Sequence, residues 1–141
     1  IDAFEPKEIY QKLNLPLEVV KQMKKQKHPF KLITGDLLSH YPFGKIFTIE
    51  DLEEESEKFN ERDRVPTGLL SGKRVKNSEG LAYEIEKEYE ENTGEDGARR
   101  FAWVFPEDIS SNYKEEKNWM EIQFYLPKGS YATEVIAEII H

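Results

Sequence analysis

The most regular pattern in the chain lies near its end, at residues 118–126. Four residues there alternate with four others: Trp119, Glu121, Gln123 and Tyr125 against Met120, Ile122, Phe124 and Leu126. A period of two is the spacing of a β-strand whose faces meet different surroundings. Residues 45–50 alternate in the same way and follow a turn composition around Pro42 and Gly44, which predicts a hairpin there.

Other segments have helical spacing. Residues 4–28 predict two short helices broken at Leu15-Pro16. Residues 48–62 predict an acidic helix with Thr48 or Asp51 as its N-cap, and residues 81–91 predict a second acidic helix. A last helix is expected from Tyr131 onward. Its apolar residues recur at helical spacing: Val135, Ile136, Ile139 and Ile140.

The remaining segments complete the predicted fold. Residues 31–34 and 99–105 are apolar enough for strands, and residues 65–74 predict a loop because they contain two glycines. The polar residues 106–117 are expected to connect the strand at 99–105 to the strand at 118–126 as an antiparallel pair. The predicted class is α+β, a small antiparallel sheet with helices packed on one face.

Composition excludes several classes of function. The 141 residues include no Cys, so disulfide scaffolds, thiolate metal sites and Cys nucleophiles are excluded. The three histidines, His28, His40 and His141, lie in separate segments and predict no metal site. No apolar run reaches the length of a membrane span, so a soluble cytoplasmic protein is expected. The chain starts at Ile1 and its last helix has no cap, which suggests a fragment of a longer protein.

Charge is distributed unevenly along the chain. The formal net charge is −8, which alone argues against a nucleic-acid partner. However, no acidic residue lies between Glu18 and Asp36, and this stretch holds a basic cluster: Lys21, Lys24, Lys25, Lys27, His28 and Lys31. The cluster is interpreted either as a solvated helix face or as a patch that contacts phosphates. The cations Lys73 and Arg74 end the predicted loop, whose glycine spacing does not match a phosphate-binding loop.

Several short motifs occur along the second part of the chain. In order, they are Gly35-Asp36, Val65-Pro-Thr-Gly68 with Gly72, Ser78-Glu-Gly80 with Glu86, Arg99-Arg100, and Leu126-Pro-Lys-Gly-Ser-Tyr-Ala-Thr133 with Glu138-Ile139. These motifs and their order resemble the TruD family of tRNA pseudouridine synthases. The resemblance covers the chain from about Phe30 to its end. The last motif is the most specific, because it is a long match directly before an apolar helix.

The resemblance implies an isomerase that converts a uridine in the D-arm of tRNA to pseudouridine without a cofactor or a metal. It also implies that the single catalytic Asp precedes this region of the protein. The six aspartates here are not in the family's catalytic context, so no catalytic residue is assigned: Asp2, Asp36, Asp51, Asp63, Asp96 and Asp108. By resemblance, residues 1–34 adjoin the catalytic domain, residues 35–117 form the family's insertion domain, and residues 118–141 return to the catalytic domain.

Two sets of binding residues follow from this interpretation. Phosphate contacts are expected from Lys21, Lys24, Lys25, Lys27, Lys73, Arg74, Arg99 and Arg100. The base pocket is expected to include Leu126, Gly129, Ser130 and Tyr131. The fragment alone is expected to be inactive, and its exposed last helix could pair two copies into a dimer. The alternative hypothesis is a free-standing, non-catalytic module that binds RNA or protein.

Overall fold

The computed structural model describes residues 5–91 and 93–140. Contacts divide the chain into two compact units, one ending at Trp103 and the other beginning at Val104. Within the described residues, every helix is too short or too polar to cross a membrane. The division of the sequence into residues 1–34, 35–117 and 118–141 stays a prediction.

The first unit begins with two helices, α1 (Pro6–Leu13) and α2 (Leu17–Lys25), separated at Leu15-Pro16 as predicted. The next helix, α3 (Leu52–Asn60), is confirmed within the predicted range 48–62 but is shorter at both ends. Its cap is Asp51 and not Thr48, because the Asp51 carboxylate accepts the Glu54 N–H at 3.0 Å, whereas Thr48 ends a strand.

The second acidic helix is shorter than predicted. The helix α4 (Gly80–Glu86) ends at Glu86 and continues only as a 3₁₀ turn, Lys87–Tyr89. The prediction extended it to residue 91 because acidic residues with good helix propensity continue past Glu86. Side-chain charge alone did not reveal where the helix stops.

Four antiparallel strands form the sheet of the first unit, in the order β2-β1-β3-β4. They are β1 (Leu37–His40), β2 (Ile46–Thr48), β3 (Arg64–Leu70) and β4 (Ala98–Phe101). The predicted hairpin is confirmed, since β1 and β2 pair directly, with Leu38 opposite Phe47.

The strand β3 corrects the predicted loop at residues 65–74. Its first half pairs with β1, with Val65 opposite Ser39, and its second half pairs with β4, with Gly68 opposite Arg100. Pro66 lies where the partner changes, and its carbonyl accepts the N–H of Ala102, just beyond the end of β4. Proline and glycine indicate a turn in sequence, but here they occupy strand positions where a missing N–H or side chain is tolerated.

The predicted strand at residues 31–34 is also wrong. The Leu32 N–H donates to the side chain of Gln26 at 2.8 Å, and the Ile33 N–H donates to the side chain of Asp36 at 2.8 Å. These backbone groups are satisfied by nearby side chains, so the segment does not pair with a neighbouring strand.

Two groups of apolar side chains form the core of the first unit. One joins α1, α2 and α4 and consists of Ile9, Leu15, Val20, Met23, Ile33 and Ala82. The other comprises buried residues of the strands, of α3 and of the segments beside them: Leu32, Leu37, Leu38, Ile49, Phe59 and Val65, each at most 2% exposed. Arg64 at the start of β3 bonds to Glu55 of α3 at 3.0 Å, which ties that helix to the sheet.

The second unit contains the strands β5 (Glu107–Lys114) and β6 (Trp119–Tyr125), followed by the helix α5 (Ala132–Ile140). The strand at β6 was predicted, but its partner was not. It pairs with β5, the segment expected to be a linker, while the shorter strand β4 pairs with β3. Every residue of β5 before Lys114 is exposed, so no apolar face marks it as a strand. The α+β class is confirmed, with two sheets instead of one.

The helix α5 confirms the predicted last helix. None of its described side chains is buried, and Ile139 and Ile140 are 52% and 75% exposed. The apolar patch expected on this helix is therefore present in the chain, and dimerisation through it stays a prediction.

Gly35 fixes the approach of two segments in the first unit. It has φ of +94°, and a Cβ added there would lie 2.1 Å from the carbonyl oxygen of Glu79. The Gly35 carbonyl in turn accepts the Glu79 N–H at 2.9 Å. Only glycine fits both this backbone conformation and this close contact.

Replacing Gly35 with Ala tests this contact. We expect Gly35→Ala to lower the free energy of unfolding by about 3 kcal/mol, because backbone strain and a steric clash act together. The matched control is Gly94→Ala, where φ is +77° and nothing lies within 4 Å of the added Cβ, so strain alone costs about 1 kcal/mol. Equilibrium denaturant unfolding measures both losses, and equal losses would contradict the close approach.

Candidate functional site

An ion pair between Glu86 and Arg99 joins several of the motifs that carry the family resemblance. The Arg99 Nη1 and Nη2 atoms donate to Glu86 Oε1 and Oε2 at 2.5 and 2.6 Å, and Arg99 Nε donates to the Lys76 carbonyl at 2.7 Å. The hydroxyl of Ser78 also donates to Glu86, at 2.6 Å. The Arg99 side chain is 2% exposed. A planar guanidinium suits this arrangement, because its three nitrogen atoms can donate at once to the Glu86 carboxylate and to the Lys76 carbonyl.

The electrostatics of this cluster favour an ionised Glu86. Burial alone would raise the pKa of Glu86, but hydrogen bonds from Arg99 and Ser78 and the Arg99 charge outweigh burial and hold the pKa below its usual value. Removing either partner of such a buried pair is destabilising, mainly because the other charge is then left buried without a counter-charge.

Asp36 lies beside the pair and behaves differently. Its pKa is raised to about 6, mainly by burial and also by the negative charge of Glu86, while the Ile33 N–H and the positive charge of Arg99 act in the opposite direction. Its backbone also holds the edge of the sheet, because the Asp36 carbonyl accepts the Ile49 N–H at 2.8 Å. Asp36 is thus a structural carboxyl whose charge is costly near neutral pH.

A cleft of about 810 Å³ opens next to this cluster, between β2 and the N-terminal ends of α3 and α4. Its charged lining residues are Glu50, Asp51, Glu54, Glu55, Lys76 and Glu79. Five of these six are acidic, so the cleft repels phosphate groups. Among the residues that the structure describes, no group of three or more His, Asp or Glu side chains is arranged to hold a metal ion.

Two cations of the predicted basic cluster pair with acidic side chains. Lys27 pairs with Glu57 of α3 at 3.2 Å, and Lys21 pairs with Glu18 at 3.6 Å. Lys24 is half-buried, whereas Lys25 is exposed. Exposed pairs such as these contribute little to stability and exchange readily with other ions.

Two further predicted cations, Lys73 and Arg74, lie beside acidic residues. Lys73 and Arg74 line a second cleft of about 410 Å³, together with Glu90 and Glu91. Arg74 also binds Asp96 at 2.6 Å, on the exposed surface.

Arg99 and Arg100 are neighbours in sequence but have different surroundings. Arg99 is buried in its ion pair, so its guanidinium is used within the chain, and its role as a phosphate contact stays a prediction. Arg100 is exposed and pairs in register with Gly68, which has no side chain to cover it. Alternation along β4 sends the two side chains to opposite faces of the sheet.

The four residues predicted for the base pocket lie together between β6 and α5. Leu126 follows the end of β6, and Gly129 has φ of +94°. The Ser130 N–H donates to the Pro127 carbonyl at 3.2 Å, which closes the turn, and Tyr131 is 62% exposed. They are adjacent in space, and their role in binding a base stays a prediction.

Comparison with known proteins gives concordant results. A family model described as tRNA pseudouridine synthase D (TruD) matches residues 18–139. The chain is 50% identical over 139 residues to tRNA pseudouridine synthase D of Sulfurimonas denitrificans, covering 99% of the chain and 39% of that protein. It is 53% identical over 128 residues to the protein of the same name in Wolinella succinogenes, covering 90% of the chain and 36% of that protein. The chain thus spans about two fifths of the length of these relatives.

A solved structure has a similar fold. The crystal structure of a protein from Methanosarcina mazei, titled as a tRNA pseudouridine synthase D (TruD), aligns with a TM-score of 0.60 at 21% sequence identity. The alignment covers 86% of this chain and 34% of that chain. At this identity the similarity supports the fold alone.

Titration of Asp36 tests the electrostatics of the cluster. We expect its carboxyl carbon, followed by NMR and assigned with Asp36→Asn, to titrate near pH 6 and not near the usual 3.8. The folded state then binds the proton more tightly than the unfolded chain. Asp36 therefore favours folding most below about pH 4, and this contribution is lost as the pH rises through about 6. A midpoint below pH 4.5 would contradict the burial of this carboxyl.

Proposed function

This chain belongs to the TruD family of tRNA pseudouridine synthases, and from that premise we propose that it is one part of an enzyme that isomerises a D-arm uridine of tRNA to pseudouridine. The observation that carries the proposal is the match of the family model to residues 18–139, together with about 50% identity to named relatives over nearly the whole chain. The relatives are much longer, so the activity is proposed for the full-length protein.

The part proposed for these residues is non-catalytic. Three of the aspartates already have local roles: Asp36 accepts the Ile33 N–H, Asp51 caps α3, and Asp96 pairs with Arg74. By the family resemblance, we propose that the catalytic Asp lies in the remainder of the polypeptide and that residues 1–141 alone are inactive.

We propose that the chain contributes RNA contacts through its exposed cations. The strongest candidates are Lys25 on α2, Lys73 on the loop after β3, and Arg100 on β4, since their side chains are exposed. Lys21, Lys24, Lys27 and Arg74 form a second group, because each already has an interaction within the chain. The family's insertion domain, proposed at residues 35–117, would hold part of this surface.

The turn between β6 and α5 is proposed as part of the base pocket. A target base must leave its stack to reach the catalytic residue, so an enzyme of this kind needs side chains around the extruded base. Leu126, Gly129, Ser130 and Tyr131 offer an apolar side chain, an open backbone, a hydroxyl and an exposed ring. We place the enzyme in the cytoplasm, with tRNA as its partner.

Charge reversal in the full-length enzyme tests this proposal at two levels. The wild-type protein should convert uridine to pseudouridine in tRNA, measured by tritium release, and the 141-residue chain alone should not. Lys25→Glu combined with Arg100→Glu should weaken tRNA binding and reduce the salt dependence of binding by about one unit per lost phosphate contact.

The matched control is Lys7→Glu, an exposed lysine on α1 that is outside the proposed contacts. Activity of the short chain on its own would contradict the assignment of the catalytic Asp to the rest of the protein. An inactive full-length enzyme would overturn the proposed function. Unchanged affinity and salt dependence in the double variant would overturn only the proposed phosphate contacts.

A further inference from the structure

The connection between α2 and β1 contains a loop that is closed by one side chain. Gln26 is 8% exposed, and its amide pairs with the backbone of Leu32 in both directions. The Gln26 Nε2 atom donates to the Leu32 carbonyl at 2.7 Å, and Gln26 Oε1 accepts the Leu32 N–H at 2.8 Å. Residues 27–31 therefore project from a fixed base. The ammonium of Lys31 adds a third bond across the same base, to the Gln26 carbonyl at 2.9 Å.

Inside this loop the ring of Phe30 has a defined position. The Phe30 N–H donates to Nδ1 of His28 at 3.1 Å. Burial, together with the nearby charge of Lys31, lowers the pKa of His28, so its ring is neutral at neutral pH and Nδ1 can accept. The His28 ring packs on Phe59 with centroids 3.9 Å apart and meets Trp103 edge-on at 4.9 Å.

Phe30 extends this aromatic cluster to the surface. Its ring lies 6.0 Å from Trp103 and 6.3 Å from Phe59, at interplanar angles of 62° and 85°. Phe59 is fully buried, whereas Phe30 is 37% exposed. Two rings thus hold Phe30 edge-on while part of it reaches solvent. A held, partly exposed ring loses little conformational entropy when it stacks on a ligand.

The surroundings of the loop are basic. Lys25, Lys27 and Lys31 are close to Phe30 in sequence, and no acid lies between Glu18 and Asp36. From another element, Glu57 of α3 pairs with Lys27 at 3.2 Å, while both side chains remain more than half exposed. Such an exposed pair costs little to exchange for a phosphate.

We propose that residues 27–31 form a nucleotide-binding loop in which the ring of Phe30 stacks on an unpaired base of the RNA substrate while Lys25 and Lys27 contact adjacent phosphates. Proteins usually bind unstacked bases with aromatic side chains next to cations. The aromatic ring stacks on the flat face of a base, and the cations contact the negatively charged phosphates. This inference rests on the proposed function and adds the residues that bind the RNA away from the reacting base. A protein surface as partner would use the aromatic ring but not the phosphate contacts.

The test uses the full-length enzyme and three variants. Phe30→Leu keeps an apolar side chain but removes the ring, and we expect it to weaken tRNA binding about 10-fold. Phe30→Tyr keeps the ring and should bind like the wild type. The matched control is Phe43→Leu, which removes an aromatic ring that is 87% exposed in the β1–β2 turn and should leave affinity unchanged.

A second measurement covers the case in which Phe30→Leu unfolds. An azidophenylalanine placed at position 30 should crosslink to tRNA under light, and one placed at position 43 should not. Equal affinity of wild type and Phe30→Leu, or crosslinking from position 30 only to protein, would overturn the proposal. The proposed function is tested separately. If the wild-type enzyme forms pseudouridine, that function stands even when the loop proposal fails, and if the wild-type enzyme forms none, that function is refuted.

Discussion

The first unit depends on the ion pair between Glu86 and Arg99. It ties the last turn of α4 to the outer strand β4, and through Lys76 and Ser78 it also holds the segment that precedes α4. This segment in turn contacts the turn before β1, where the Glu79 N–H meets the Gly35 carbonyl. Loss of one partner would leave a buried charge without compensation, which typically costs about 3–5 kcal/mol.

This arrangement changes the interpretation of the motifs that carry the family resemblance. Gly35, Ser78, Glu86 and Arg99 come from three separate motifs, yet they contact one another directly or through one residue. Their shared role is to hold the fold, and their hydrogen-bonding groups are already used within the chain. RNA contacts are therefore proposed on other residues, namely exposed cations and the loop that carries Phe30.

Local signals in the sequence predicted the elements that depend on local interactions. The cap at Asp51, the break at Pro16 and the alternation at Trp119–Tyr125 each depend on residues a few positions apart. Features that depend on distant partners were missed. Val65 and Gly68 are in a strand because β1 and β4 pair with it on either side. Arg99 is buried because its guanidinium forms an ion pair with the Glu86 carboxylate. A basic residue in a motif gives no sign of whether it pairs within the chain or reaches a phosphate.

A double-mutant cycle on Glu86 and Arg99 tests the central claim most directly. Arg99→Lys keeps the positive charge but loses the two parallel hydrogen bonds to Glu86, and Glu86→Gln removes the negative charge. The double variant should lose about 2 kcal/mol less unfolding free energy than the sum of the losses of the two single variants. Arg100→Lys, one position along β4 on an exposed side chain, should change stability by less than about 0.5 kcal/mol. Additive losses at Glu86 and Arg99, with Arg99→Lys no more costly than Arg100→Lys, would contradict the account.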